Sequence, residues 1–312
     1  MPAAPLRPDA RRRLAVLGSP IGHSLSPRLQ GIAYDRLGLP FDYGLAEVAS
    51  GALAPFVDSL DESWRGLSLT MPLKREVVPL LDEASPLVRK LGVANTVVLS
   101  QVDGSRHLAG HNTDVDGITR AVSSRLADVN DLRGDETIIV GGGATAASAL
   151  AAVAELGVGR VRLYLRDVTK ASELSGLASS LGVALEALPL DRLADAGPAD
   201  LAVSTLPGGA ADDLPLTPSG PGAVLLDVAY DPWPSALATR WADAGGLIVS
   251  GLDMLIEQAV GQIRLFAGLP QTVSVPDEDA IRRDMRAAVG VPPVPVPVRV
   301  PVSLPVPGEV VR

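Results

Sequence analysis

The chain has 312 residues, enough for two ordinary domains, and 47% of them are hydrophobic. Its net charge of −9 at pH 7 argues against a nucleic-acid-binding protein, whose footprint would be a basic patch. The absence of cysteine excludes a disulfide scaffold and a thiol nucleophile, and three scattered histidines disfavour a histidine-based metal site. No apolar run reaches the roughly 18 residues that cross a bilayer, and the first residues lack the apolar core of a signal peptide. We therefore expect a globular α/β protein of the cytoplasm that binds neither membrane nor nucleic acid.

The first third of the chain alternates short apolar strands with helices. Residues 14–18 (LAVLG) are typical of a buried strand. Residues 27–39 predict a helix with proline in its first turn and glycine near its end. Two strands, FDYGLAEV and GLSLT, flank a predicted helix around residues 51–62. Residues 94–100 and 106–110 then predict a strand pair joined by the turn-rich VDGS.

From residue 136 the pattern becomes strand, glycine loop and helix, in ETIIVGGGATAASALAAVAELG. Further strands alternate with helical segments, which predicts a parallel, doubly wound sheet. These strands are residues 161–166, 199–205 and 223–230. A long amphipathic helix is predicted over 251–268. Residues 290–312 are rich in proline, so we expect an extended, disordered tail there.

The glycine loop VGGGATA follows an apolar strand directly and opens an alanine-rich helix. Glycine permits a tight turn and close backbone approach, and a helix N-terminus attracts a pyrophosphate. Gly141, Gly143 and Ala146 fill the dinucleotide pattern G-x-G-x-x-G/A. Many other strand-to-helix turns are also glycine-rich, and the strand, loop and helix context is what favours a dinucleotide.

The end of the second strand of this unit bears on which nicotinamide cofactor binds. Arg166 suits the 2′-phosphate of NADP, and Lys170 adds a second cation if the next helix begins near Thr169. Asp167 suits the free ribose hydroxyl of NAD, and a solvated ion pair at a strand end is a third interpretation. Two cations against one anion favour NADP, with NAD possible.

Four short polar segments, HSLSP, SLTMPLK, ANT and HNTD, lie at predicted strand ends and helix starts. Each has a structural explanation: Ser26 and Asp114 could cap helices, and Thr70, Asn95 and Thr113 could satisfy turn backbones. Together they predict a cleft of hydroxyls, amides, one lysine and one carboxylate that suits a small polyhydroxylated acid. No histidine–carboxylate relay accompanies the serines, so they are better ligand donors than nucleophiles.

The chain resembles the shikimate dehydrogenase family from about Leu14 to Gly268. The motifs that carry the resemblance are GSPIGHSLSP (18–27), SLTMPLK (68–74), GVANTVV (92–98), GHNTDVDG (110–117), VGGGATA (140–146), DVAYDPWPSAL (227–237) and GLDMLIEQA (251–259). The resemblance implies NADPH-dependent, reversible reduction of 3-dehydroshikimate to shikimate, in aromatic amino-acid biosynthesis and without a metal. It also implies a substrate-binding α/β domain over residues 1–117, completed by helices in 251–289, and a Rossmann-like NADP domain over 118–250.

The resemblance also assigns roles to single residues. Lys74 and Asp114 match the catalytic pair. The substrate-binding residues matched are Ser24 and Ser26 for the carboxylate, Thr70, Asn95, Asp114 and Gln258 for the hydroxyls, and Tyr230 at the wall of the pocket. The expected cofactor-binding residues are Gly141, Gly142, Gly143, Ala144, Thr145, Ala146, Arg166, Lys170, Thr205 and Gly251.

Three departures from the family pattern bear on specificity. Ser68 stands where many relatives have asparagine, Ala144 stands where a loop glycine is usual, and LRD (165–167) replaces an Asn-Arg-Thr triplet. Two alternatives stay open: an NAD-dependent quinate or shikimate dehydrogenase, favoured by Asp167, and a non-catalytic sensor of such acids. The intact Lys74 and the catalytic carboxylate weigh against the sensor. We expect a monomer or homodimer with a small-molecule substrate.

Overall fold

The computed structural model describes residues 11–126 and 136–292, which form two six-stranded sheets with helices packed around them. The predicted proline-rich tail lies outside the described residues from position 293 onward. None of the helices that the structure describes is long and apolar enough to cross a membrane.

The first sheet is mixed and has the strand order β2-β1-β3-β5-β6-β4. Its strands are β1 (Arg12–Gly18), β2 (Phe41–Glu47), β3 (Trp64–Leu69), β4 (Glu83–Ala84), β5 (Thr96–Val102) and β6 (Ser105–His111). Strands β1, β2 and β3 are parallel, whereas β5 runs antiparallel to β3 and to β6. Leu17 lies opposite Leu69, and the backbone N–H of Thr70 donates to the Leu17 carbonyl at 2.9 Å. The loops that leave β1 and β3 are therefore neighbours at one edge of the sheet.

Five helices belong to this part of the chain: α1 (Ser26–Leu37), α2 (Leu53–Asp58), α3 (Leu73–Glu76), α4 (Pro86–Leu91) and α5 (Asp114–Ser123). The helix predicted over 27–39 corresponds to α1, which carries Pro27 in its first turn and ends at Gly38 with φ +62°. The suggestion that Ser26 caps this helix is wrong. Leu25 occupies the cap position, and the Ser24 hydroxyl accepts the Ser26 backbone N–H at 3.3 Å.

The second sheet is wholly parallel, with the strand order β12-β11-β10-β7-β8-β9. Its strands are β7 (Thr137–Val140), β8 (Arg160–Leu165), β9 (Ala184–Pro189), β10 (Leu201–Ser204), β11 (Val224–Asp227) and β12 (Leu247–Ser250), and its helices are α6 (Ala144–Glu155), α7 (Ala171–Leu181) and α8 (Ala236–Asp243). This is the Rossmann-like arrangement expected, so the predicted fold class is confirmed. The strand order reverses between β7 and β10, the position where ligands bind such sheets.

The apolar sequence of β7 follows from burial on both faces of its sheet. Ile139 packs with Leu163 in the core on one face. Ile138 and Val140 pack with Trp241 in the core on the other face. A strand covered on both sides has no solvent-facing positions, so it is continuously apolar rather than alternating.

Two late helices, α9 (Gly251–Phe266) and α10 (Glu278–Ala288), return the chain to the first sheet. Helix α9 packs against α5, α1 and α10 and contacts β3 and β5. At the α5–α9 crossing, a Cβ on Gly117 would lie 2.9 Å from the Cβ of Gln258. The missing side chain lets the two helices approach closely, and this approach carries Gln258 to the start of β5.

Candidate active site

Lys74 and Asp114 form a buried ion pair beside the carboxyl end of β3. The Nζ of Lys74 lies 2.6 Å from Oδ2 of Asp114, and the two side chains are 11% and 4% exposed. Lys74 belongs to the short helix α3, and Asp114 is the first residue of α5. Little water reaches the pair to screen it, so it is a strong charge-assisted hydrogen bond that fixes the position of the ammonium group.

Asn112, rather than Asp114, satisfies the start of helix α5. Its Oδ1 accepts the backbone N–H groups of Asp114 at 3.0 Å and Val115 at 3.3 Å. The suggestion that Asp114 is a helix cap is therefore wrong, and its carboxylate is left to face Lys74. The Asn112 amide also donates to Ser148 Oγ on α6 at 3.1 Å, which ties the start of α5 to the helix after the glycine loop. Sequence reasoning missed Asn112, although asparagine just ahead of a helix is a recognised cap signal.

Asn95 joins the ion pair to a residue from the far end of the chain. Its Nδ2 lies 2.9 Å from Asp114 Oδ1, 2.9 Å from Thr113 Oγ1 and 3.2 Å from Gln258 Oε1. Its Oδ1 accepts the backbone N–H of Thr113 at 2.8 Å. All of these residues are buried. The structure thus brings four of the predicted site residues, Lys74, Asn95, Asp114 and Gln258, into one cluster.

The remaining predicted substrate residues lie outside this cluster, with Ser24, Thr70 and Tyr230 between elements and Ser26 at the first position of α1. Ser24 is half-buried in the loop after β1, and Ser26 is buried at the start of α1. Thr70 directly follows β3. Tyr230 follows β11 and lines, with His23, a cavity of about 800 Å³ whose lining includes no residue of the cluster. In the described part of the chain, no hydrogen bond links these four residues to the Lys74–Asp114 pair, so their role as substrate ligands stays a prediction.

The glycine loop has the backbone that a close phosphate approach requires. Gly141 has φ +111°, and a Cβ there would overlap the Thr205 hydroxyl. A Cβ on Gly142 would lie 2.7 Å from Leu165 Cδ2, whereas a Cβ on Gly143 would meet nothing within 4 Å. Glycine is therefore required at Gly141, a side chain at Gly142 would need Leu165 to shift, and Gly143 borders open space.

That open space lies at the start of α6, whose cap residue Gly143 gives no side-chain hydrogen bond. The first N–H groups of a helix need acceptors and carry partial positive charge, so they suit an anion. Ala144 and Thr145 begin the helix, and Ala146 is buried. Gly251 begins α9, and its missing side chain lets the Val228 carbonyl approach it closely. The loop therefore fits the pyrophosphate of a dinucleotide.

Two exposed cationic side chains, Arg166 and Lys170, follow strand β8. Asp167 Oδ1 accepts the backbone N–H and the hydroxyl of Thr169, and these hydrogen bonds lower the pKa of the Asp167 carboxyl. Lys170 lies 3.9 Å from Asp167, and α7 begins at Ala171 after a short 3₁₀ turn. Arg166 is exposed and forms no ion pair with any residue that the structure describes. Asp167 is engaged by its own turn, which leaves Arg166 available to a phosphate.

Comparison with known proteins bears on this combination of a buried Lys–Asp pair and a dinucleotide loop. A family model for the shikimate dehydrogenase substrate binding domain matches residues 16–97. A curated shikimate dehydrogenase (NADP(+)) from Sphingopyxis alaskensis is 37% identical over 270 residues, which cover 84% of this chain and 93% of the relative. The chain belongs to the shikimate dehydrogenase family.

Solved structures of the shikimate dehydrogenase family share this fold. The crystal structure of a shikimate 5-dehydrogenase from Mycobacterium fortuitum is 38% identical, with a TM-score of 0.70 over 89% of this chain and 98% of that one. One from Thermus thermophilus, solved in complex with NADP(H) and shikimate, is 29% identical, with a TM-score of 0.71 over 89% of this chain and 99% of that one. The family predicted from the motifs is confirmed.

Two buried polar residues behind the cluster, Thr96 and Gln262, were not predicted from the sequence. Thr96 Oγ1 donates to Asn95 Oδ1 at 2.9 Å, and Gln262 Nε2 donates to Thr96 Oγ1 at 3.2 Å. Gln262 lies four residues after Gln258, one helical turn along α9, which was the available signal. Among the described residues, no group of three or more His, Asp or Glu side chains is placed to hold a metal ion.

Proposed function

We propose that this chain is a shikimate dehydrogenase that reversibly reduces 3-dehydroshikimate to shikimate with NADP as its cofactor. The observation that carries the proposal is the buried Lys74–Asp114 pair, with its 2.6 Å separation, inside a cluster of amides. A non-catalytic sensor of the same acids would need the amides and hydroxyls but not a proton donor in this setting. Membership of the shikimate dehydrogenase family supports the same conclusion.

Lys74 serves as the general acid for the carbonyl group of the substrate. NADPH bound at the glycine loop supplies a hydride to the ring carbonyl carbon. The carbonyl oxygen gains negative charge as the carbon is reduced, and the Lys74 ammonium donates the proton that converts it to a hydroxyl. Asp114 holds the ammonium in place through Oδ2, while Asn95 holds the second carboxylate oxygen. In the reverse direction the Lys74 amine accepts the proton of the substrate hydroxyl.

The polar loops around the pair supply the contacts for the rest of the substrate. We assign the Ser24 and Ser26 hydroxyls to the substrate carboxylate, since both are placed where the loop after β1 enters α1. Thr70, Asn95 and Gln258, with Asp114, bind the ring hydroxyls through side chains that can donate and accept hydrogen bonds. Tyr230 closes the wall beside this loop.

We assign residues 1–117, with helices in 251–289, to the substrate domain and residues 118–250 to the NADP domain. The support is that α9 packs on α1 and contacts β3 and β5, and α10 packs on α1 and α9, whereas β7 to β12 form a sheet of their own. The acid then lies between the two sheets, and closure around it excludes water from the hydride transfer. We also assign the enzyme to the cytoplasm, as a monomer or homodimer.

Arg166 is the residue that we assign to the 2′-phosphate of NADP. A guanidinium forms bidentate, charge-assisted hydrogen bonds with a phosphate, and Arg166 is exposed just after β8. Arg166→Ala is therefore expected to raise the KM for NADP at least several-fold and to leave the KM for NAD nearly unchanged. Initial rates with each cofactor at saturating shikimate measure this. A wild-type enzyme that prefers NAD would show that Asp167 dominates and would overturn the assignment.

An assay that crosses shikimate and quinate with NADP and NAD tests the proposed function directly. Absorbance of the reduced nicotinamide is followed for all four pairs. The highest kcat/KM is expected for shikimate with NADP. A higher value for quinate with NAD would favour the alternative that Asp167 first suggested. No nicotinamide reduction with any pair would favour the sensor.

A further inference from the structure

A run of buried side chains leads from strand β2 toward the active-site cluster. The Tyr43 hydroxyl donates to Ser68 Oγ at 2.7 Å, and the Ser68 hydroxyl donates to Gln262 Oε1 at 3.1 Å. Gln30 Nε2 donates to the same Gln262 oxygen at 3.0 Å. These residues come from β2, β3, α9 and α1, and all four are buried. The oxygen of Gln262 is thereby fixed toward Ser68, which turns its nitrogen toward β5.

The run continues from Gln262 to the catalytic carboxylate. Gln262 Nε2 donates to Thr96 Oγ1 at 3.2 Å, and the Thr96 hydroxyl donates to Asn95 Oδ1 at 2.9 Å. Asn95 Nδ2 then donates to Asp114 Oδ1 at 2.9 Å. We define the donor chain as the five residues whose successive hydrogen bonds lead to Asp114: Tyr43, Ser68, Gln262, Thr96 and Asn95.

Every hydrogen bond of the donor chain points in the same direction, toward Asp114. Burial raises the pKa of the Tyr43 phenol, against the opposing effect of its hydrogen bond with Ser68, so the phenol keeps its proton and donates. Each hydroxyl has one hydrogen. Ser68 and Thr96 accept a hydrogen bond from the previous member, so that hydrogen is free to be donated to the next member. The amides of Gln262 and Asn95 accept through oxygen and donate through nitrogen. Such a chain sets orientation but does not conduct protons, because an amide N–H keeps its proton at neutral pH.

We propose that Thr96, Gln262 and Ser68 are positioning residues that keep the Asn95 amide nitrogen turned toward Asp114. The inference rests on the proposed function, since its catalytic consequence is the placement of Lys74. With the Asn95 amide reversed, its oxygen would face the Asp114 carboxylate and its nitrogen would face the Thr113 N–H. Asp114 would then lose the contact at Oδ1 that opposes the pull of Lys74 on Oδ2. In a buried, low-dielectric site, aligned hydrogen bonds strengthen one another.

Two variants at Thr96 separate the hydroxyl from the shape of the side chain. Thr96→Val keeps the volume and removes the donor to Asn95, and it should lower kcat about five- to tenfold, the equivalent of one buried hydrogen bond. Thr96→Ser keeps the donor and loses a buried methyl group, and its kcat should stay within about twofold of wild type. The KM for NADP should not change in either variant. Both substitutions should reduce stability, so a purely structural role of Thr96 would lower kcat in both variants rather than only in the one that loses the hydroxyl.

The orientation itself is measured without turnover, on the 15N-labelled protein in the absence of substrate and cofactor. The Asn95 side-chain amide signals, identified by their loss in Asn95→Asp, should shift and exchange faster with solvent in Thr96→Val but not in Thr96→Ser. Unchanged amide signals in Thr96→Val, or equal loss of kcat in both variants, would overturn the inference. If the wild-type protein reduces no cofactor yet its amide signals respond to Thr96→Val, the proposed function fails and the orienting chain stands.

Discussion

Lys74→Ala is expected to lower kcat about 10²- to 10⁴-fold, the usual range for loss of a general acid–base group. The Lys74 ammonium, which we propose as the proton donor, is held by the Asp114 carboxylate at 2.6 Å, and alanine removes it. The KM for shikimate should change much less, because the proton is needed as charge develops on the reacting oxygen rather than in substrate binding. Steady-state rates with saturating NADP measure both constants.

The variant also leaves the buried Asp114 carboxylate without its cation, so its folding must be checked. Loss of one partner of a buried pair commonly destabilises a protein by about 3–5 kcal/mol. Lys74→Met retains most of the apolar volume of the side chain and should show the same loss of kcat. Lys90→Ala, which removes an exposed lysine of α4, is the matched control and should leave kcat within about twofold of wild type. Near-normal turnover in both Lys74 variants would remove Lys74 from the mechanism.

The fold class and the family could be predicted because their signals are local. The TIIV strand is apolar throughout because both of its faces are covered, and Gly141 after it is required by its positive φ and its contact with Thr205. Such patterns can be recognised within a few residues of sequence. The helix α1 is a similar case, since Pro27 and Gly38 mark its two ends.

The hydrogen-bond partners could not be predicted, because they depend on elements that are distant in sequence. Gln262 meets Thr96 only because α9 returns to the first sheet, 166 residues further along the chain. The two capping suggestions failed for a local reason. A serine or aspartate at a helix start can occupy the first helical position instead of the cap, and Ser26 and Asp114 both do so. In each case the side chain two residues earlier, Ser24 or Asn112, accepts the backbone N–H of the first helical residue.

Gly143→Ala is expected to weaken NADP binding about tenfold or more while leaving the stability of the ligand-free protein unchanged. A tenfold loss corresponds to about 1.4 kcal/mol. Gly143 has φ −84°, which alanine adopts without strain, and an added Cβ meets no protein atom within 4 Å. The methyl group would instead occupy the open space at the start of α6, where we place the pyrophosphate. Isothermal titration calorimetry with NADP measures the affinity, and thermal unfolding of the ligand-free protein measures the stability.

Two further glycine variants serve as comparisons for Gly143→Ala: Gly141→Ala, which should also lose stability, and Gly176→Ala, which is the matched control. Gly141 has φ +111° and faces the Thr205 hydroxyl, so a Cβ there should lower the free energy of unfolding by about 1–3 kcal/mol as well as weaken NADP binding. Gly176 lies inside α7 with nothing within 4 Å of its added Cβ, so alanine should leave NADP binding unchanged and stabilise the helix slightly. If Gly143→Ala bound NADP as tightly as Gly176→Ala, the pyrophosphate would have to lie away from the start of α6, and the assignment of the glycine loop would be wrong.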